Sequence, residues 1–257
     1  MESNPRTWIA AVRRSQDRLA SLVQTLTPEQ LRGPSYHDWT IAQVLGHLGS
    51  QAELFMGWVT AALEGTDPPG RETMQPIWDA WEARSPEEQA ADSIAYNERL
   101  VQHFERLTDD ELARMHLNLF GMELGPADLP RLRLAEHTLH TWDIAVALDP
   151  TARVAPDAVA LLIDTLGFLA NRAGKPQAKR FRLHVRTSEP EREFSLQVGD
   201  EVELAEWTDG AADSEMRIPA EAFLRLIYGR LDPEHTPAVE TSGEITLDDL
   251  RAIFSGV

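Results

Sequence analysis

Near residue 180 the hydrophobic period of this chain changes from about 3.6 residues to 2, and few folds accommodate that switch. Before it, apolar residues recur at helical spacing. After it, FRLHVRT (181–187), REFSLQV (192–198), EVELAEW (201–207) and SEMRIP (214–219) alternate as half-buried strands do, with Gly199-Asp200 as a turn between two of them. The pattern therefore predicts an α+β protein of two domains, a helical one followed by a smaller one containing the sheet. We place the domains at 1–176 and 177–257, joined near 174–180, where AGKPQAK is polar and carries Gly and Pro.

Helix starts are written in the sequence. Residues 5–26 carry Ile9, Val12, Leu19, Leu22, Val23 and Leu26 at helical spacing. Thr27-Pro28-Glu29-Gln30, Thr40-Ile41-Ala42-Gln43 and Ser85-Pro86-Glu87-Glu88 read as capping boxes. They open a short helical turn, a long helix to about Leu63 and a third helix to about Leu107, with GTDPPGRE (65–72) as a break. LTDDEL (107–112) echoes LTPEQL (26–31), a weak hint of two related helical pairs. After a loop at GMELGPAD (121–128) a fourth helix spans about 127–148 and stops at Asp149-Pro150. Further helices are expected at 156–173, at 219–231 and from Leu247 to Phe254.

Composition narrows the function. The 257 residues carry a net charge of −18, which repels phosphate backbones and disfavours nucleic acid as a partner. No run approaches the ~18 apolar residues of a membrane span, and the N-terminus lacks a signal-peptide core, so a cytoplasmic location without membrane association is expected. Cysteine is absent, which removes disulfides, thiolate ligands and a protein thiol nucleophile. Sulfur chemistry, if any, must use a small-molecule thiol. There is no glycine-rich phosphate loop and no nucleophile elbow.

RLRLAEHTLHTWDIAVAL (131–148) is the informative stretch. On a helix Glu136, His140 and Asp143 share one face, in the same sector as Leu129, Leu132, Leu139 and Ala147. A carboxylate amid apolar residues needs a partner, and two ligands four apart on one face suit a single ion. His137 points about 100° away, and we read it as a surface or packing histidine. His47, on the capped helix 40–63 and level with Gln51, Leu54 and Trp58, is the best third ligand. Asp143 would orient a ligand or receive a proton from substrate, the alternative being a salt bridge to an arginine such as Arg133. Three N/O ligands leave zinc, or another divalent metal, an open fourth position, as in catalytic sites. Arg225 and Arg230 stand in FLRLIYGRLDPE (223–234), read as helical; either snorkels to water or grips a substrate carboxylate.

HDWTIAQVLGHL (37–48) together with RLRLAEHTLHTWDIAVAL resembles the mycothiol-dependent maleylpyruvate isomerase family, within the larger DinB-like metal-binding bundles. AEAFLRLIYGRLDPE through SGEITLDDLRAIF resembles that family's second, sterol-carrier-like domain. The resemblance covers nearly the whole chain. It implies a DinB-like four-helix bundle with zinc on His47, Glu136 and His140, followed by a small α+β domain. It also implies mycothiol, the actinobacterial thiol, as cosubstrate, with Arg230 matched to an assisting arginine. In the isomerase the thiolate adds to a cis enedioic acid, the former double bond rotates, and the thiol leaves as the trans isomer forms.

The leading expectation is thus a zinc- and mycothiol-dependent isomerase or thiol S-transferase, acting on a small electrophilic or anionic substrate, as a monomer or weak homodimer. The alternatives are a metal-dependent hydrolase that activates water, and a non-catalytic metal- or small-ligand-binding protein.

Overall fold

The computed structural model describes residues 4–36 and 38–256; His37, in the first motif, lies outside them. The chain forms two compact units, Met1–Ala152 and Arg153–Val257.

In the first unit the helices are α1 (Pro5–Val23), α2 (Pro28–Arg32), α3 (Ile41–Glu64), α4 (Arg71–Glu82), α5 (Pro86–Arg106) and α6 (Asp109–Arg114). A hairpin of β1 (Leu117–Leu119) and β2 (Met122–Leu124) leads to α7 (Asp128–Leu148). The three capping boxes read from the sequence are all formed, and a fourth opens α6 at Thr108. In each, the N-cap hydroxyl accepts from the N3 backbone while the N3 side chain returns to the N-cap amide. The four long helices α1, α3, α5 and α7 pack as a ring, each against two of the others. Their core includes Trp8, Leu45, Leu48, Leu100, Phe104 and Leu134. Burying side chains of this size contributes roughly 1.5–3 kcal/mol each and is what holds the bundle together.

Helix α4 was not expected, because 65–72 reads as a break and Pro76 lies within the helix. It is held by Trp81, 2% exposed, whose indole lies against Gly49 of α3 and donates to Glu53 Oε2 at 2.9 Å. A Cβ on Gly49 would stand 2.1 Å from the ring, so only glycine lets the two meet. The β1–β2 hairpin replaces part of the expected loop; Phe120 and Gly121, both with positive φ, form its tight turn.

One guanidinium crosses the bundle interior. Arg133 of α7, fully buried, donates through Nη2 to the Leu48 carbonyl of α3 at 2.9 Å and to Asn97 Oδ1 of α5. Burial pushes its pKa down to about 10.

The second unit begins with α8 (Pro156–Leu162), a 3-10 turn (Ile163–Thr165) and α9 (Leu166–Ala173). It continues with β3 (Phe181–Ser188), β4 (Arg192–Val198), β5 (Val202–Glu206), β6 (Ser214–Pro219), α10 (Ala220–Ile227), β7 (Glu240–Ser242) and α11 (Leu247–Ile253). The sheet runs β5-β4-β3-β6-β7, antiparallel except for the parallel β3–β6 pair, which aligns Leu183 with Ser214. Phe181, Leu183, Val185, Leu196, Met216 and Ile218 face inward, joined in the core by Phe223 and Leu224 of α10.

The expected join near 174–180 is not where the two units part. Residues 153–176 belong with the second unit, because α9 packs on β5 and the segment after it is tied to α11 by the Lys175 amide donating to the Ile253 carbonyl at 2.9 Å. Gly167 comes so near β5 that a Cβ there would stand 2.7 Å from the Leu204 carbonyl, and Asn171 Oδ1 accepts the outward Leu204 N–H at 2.7 Å.

Candidate metal centre

Helices α3 and α7 bring His47, Glu136 and His140 together. One atom from each lies within 4.8 Å of the others. Glu136 Oε2 is 3.4 Å from His47 Nε2 and 3.6 Å from His140 Nε2. Ligands held at roughly 2.0–2.2 Å around a tetrahedral ion stand about 3.4 Å apart, so the donors fit a zinc-sized cation after small side-chain adjustments. Two imidazoles and a carboxylate also form a donor set suited to zinc.

The electrostatics keep the carboxylate of this cluster charged. Burial, the largest influence on Glu136, opposes its charge, yet its bonds with His140 and His47 outweigh this and hold the carboxyl well below the usual range. On His140 burial opposes protonation, and the bonds to Asp143 and Glu136 overcome it, raising the pKa. On His47 burial prevails over Glu136 and the pKa falls. An ionised carboxylate thus stands between two imidazoles.

Asp143, 2% exposed, accepts from His140 Nδ1 at 2.8 Å. That bond puts the Nδ1 proton on the carboxylate side and leaves Nε2 toward Glu136. A carboxylate on Nδ1 is the arrangement that orienting His140 as a ligand would require. Arg133 bonds instead to the Leu48 carbonyl and Asn97.

The ionisable sector of α7 is not an apolar stripe. Leu129, Leu139 and Asp143 are buried, but Leu132, Glu136 and His140 are only partly so and Ala147 is exposed. The deep side carries Arg133, Leu134 and His137. His137 is accordingly no surface residue: it is fully buried, with Nδ1 2.9 Å from Ser15 Oγ and Nε2 3.2 Å from Gln16 Oε1. Both ring nitrogens are occupied, so it is a core histidine and not a ligand.

Two neighbours went unread in the sequence. The Gln51 amide nitrogen lies 3.1 Å from His47 Nε2 and 3.1 Å from Glu136 Oε2. Its signal was available, since it stands four residues after His47 on the same face of α3. Trp39 is one of the few large apolar side chains left open, 43% exposed, and its ring centroid is 5.2 Å from that of His47 and 6.2 Å from that of His140. It is anchored where Ser35 N and Oγ both donate to its carbonyl at 2.8 Å.

In the second unit Arg230 does not stand on a helix, because α10 ends at Ile227 and Gly229 takes a positive φ. Nor does either arginine snorkel: Arg225 is 3% and Arg230 7% exposed. Arg225 pairs with Glu221 at 2.7 Å and donates through Nη1 to the carbonyls of Arg230 and His235 at 3.1 and 3.0 Å. Arg225 therefore fixes the loop that carries Arg230, whose own Nη1 donates to the Tyr228 carbonyl at 3.0 Å.

Among the described residues no helix is long and apolar enough to cross a membrane. No curated protein sequence matches the chain. A solved crystal structure of a mycothiol-dependent maleylpyruvate isomerase superposes with a TM-score of 0.71 at 12% identity, over 95% of this chain and 96% of that one. A histidine-to-alanine mutant of that enzyme superposes with a TM-score of 0.71 at 11% identity, over the same shares. At such identities the likeness shows a common fold. The family profile described as the mycothiol maleylpyruvate isomerase N-terminal domain matches residues 12–145, and that of the MDMPI C-terminal domain matches residues 153–247. With both of its units matched in order, the chain belongs to the mycothiol maleylpyruvate isomerase family.

Proposed function

We propose that the chain is a zinc- and mycothiol-dependent enzyme acting on a small electrophilic or anionic substrate, as a cis–trans isomerase of the maleylpyruvate type or a thiol S-transferase. The observation that carries this reading is the convergence of His47, Glu136 and His140 in a chain of this family. When bound, a divalent ion at these donors supplies an open Lewis-acidic position where a thiol is held deprotonated at neutral pH.

The chain's own residues do the rest. Asp143 holds the His140 Nδ1 proton, so that Nε2 keeps its lone pair for the ion. Glu136 brings one negative charge, which leaves a bound divalent ion a net positive centre. Trp39 forms an apolar wall beside the two imidazoles and limits water on that side. Arg230 is assigned to a substrate carboxylate, which its planar fork grips in two parallel hydrogen bonds.

Metal analysis combined with a thiol-dependence assay tests the reading. Purified protein should hold about one divalent ion per chain, and His47→Ala, Glu136→Ala and His140→Ala should each deplete it. Turnover of maleylpyruvate, or conjugation of an electrophile, should require added mycothiol. Near-stoichiometric metal in all three variants would remove the site, and turnover indifferent to thiol would turn the assignment to a hydrolase.

A further inference from the structure

We propose that Gln51 is a binding residue of the metal centre that hydrogen-bonds whatever anion, sulfur or oxygen, fills the open coordination position. The inference rests on the metal reading above. Gln51 is itself no member of the triad, yet its amide nitrogen touches two of the triad's three donor atoms, each at 3.1 Å. An ion bound to both of those atoms has the amide at the edge of its coordination sphere.

The argument concerns lone pairs. A side-chain amide carries two N–H donors and one carbonyl oxygen. Without metal, these donors engage Glu136 Oε2 and lie against His47 Nε2, the atoms a cation would take. Metal and amide thus compete for the single lone pair of His47 Nε2, while the Glu136 carboxylate has lone pairs for both. When an ion claims the Nε2 lone pair, the Gln51 N–H that faces it loses its partner, and a half-buried donor left unpaired is unfavourable. The anion that completes the coordination is the acceptor we assign to it. Glutamine suits the position as glutamate does not: a second carboxylate would itself enter the coordination sphere and repel an incoming thiolate.

Calorimetric titration of the zinc-loaded protein with mycothiol, alongside zinc content, tests this on Gln51→Leu and Gln51→Glu. Gln51→Leu should keep about one zinc per chain and bind the thiol roughly 10- to 100-fold more weakly, as expected for losing one hydrogen bond to a charged acceptor. Gln51→Glu should hold zinc at least as tightly as wild type while thiol binding is lost. Wild-type thiol affinity in fully loaded Gln51→Leu would overturn the proposal and leave the metal reading standing. Loss of zinc from Gln51→Leu would also overturn it, making Gln51 a support of the ligands. Wild-type protein that holds no zinc would sink the metal reading, and this proposal with it.

Discussion

Replacing Asp143 with asparagine asks whether the second carboxylate of the candidate site works through His140. Asp143 is 2% exposed, and its Oδ2 accepts from His140 Nδ1 at 2.8 Å. Asparagine has nearly the same size and keeps an oxygen for that N–H, but it carries no charge. A hydrogen bond to a charged group contributes roughly 1.5–3 kcal/mol and a neutral one roughly 1 kcal/mol. The exchange therefore removes about 0.5–2 kcal/mol from the arrangement that presents Nε2, or about 2- to 30-fold in metal affinity. Asp143→Ala removes that bond altogether and opens a cavity beside His140. It should fall near the upper end of the roughly 10- to 100-fold loss found when such supporting groups are removed. Competition against a chromophoric zinc chelator measures the affinities, and circular dichroism verifies that the bundle is intact. An Asp143→Asn affinity within about twofold of wild type would refute the positioning role and leave Asp143 as a proton acceptor for substrate.

Other outcomes follow from the same geometry. His137→Ala should retain the metal but cost about 2–4 kcal/mol in a urea melt, since it opens a cavity and strands Ser15 and Gln16; metal loss in this variant would contradict the ligand assignment. Arg230→Ala should spare metal and thiol binding and slow an anionic substrate roughly 100-fold, with partial recovery in Arg230→Lys; unchanged turnover would remove it from the mechanism. Arg13, 2.6 Å from Glu98, holds that carboxyl below its ordinary value of 4.5. The stabilisation is therefore present above pH 4.5 and lost as pH falls below it through the depressed value. Arg13→Met should cost about 0.5 kcal/mol at pH 7, small because the pair is partly exposed and screened, and progressively less as pH falls below 4.5; a deficit that stays constant as pH falls would mean packing, not charge.

Local chemistry made much of this protein legible. Thr40 with Gln43, and Ser85 with Glu88, mark helix starts because the box is built from neighbours in sequence. Alternation revealed four strands because each buries one face. Features that depend on distant residues were not readable. Helix α4 exists because Trp81 finds Gly49, and Pro76 argues against it locally. The hairpin at 117–124 and strand β7 have three residues per strand, too few to show a period. At the candidate site, i,i+4 spacing exposed Glu136 and His140, and His47 followed from the need for a third donor. The depth of His137 followed from its partners on α1, and no pattern within α7 encodes them.

The contact between Asn171 and Leu204 has a consequence for how molecules of this protein meet one another. Strand β5 is one border of the sheet, and a border strand with bare N–H and C=O groups is a template for another chain. Here the outward Leu204 N–H is already taken by Asn171 Oδ1, and α9 lies against the neighbouring carbonyl at Gly167. The helix thus occupies the backbone groups of Leu204, at the middle of the strand, that an incoming strand would need. The opposite border, β7, is three residues long and exposed throughout, too short to seed much of a ladder. Strand addition is thus hindered at the middle of one border and has little ladder to build on at the other, and Asn171→Ala would bare the Leu204 N–H.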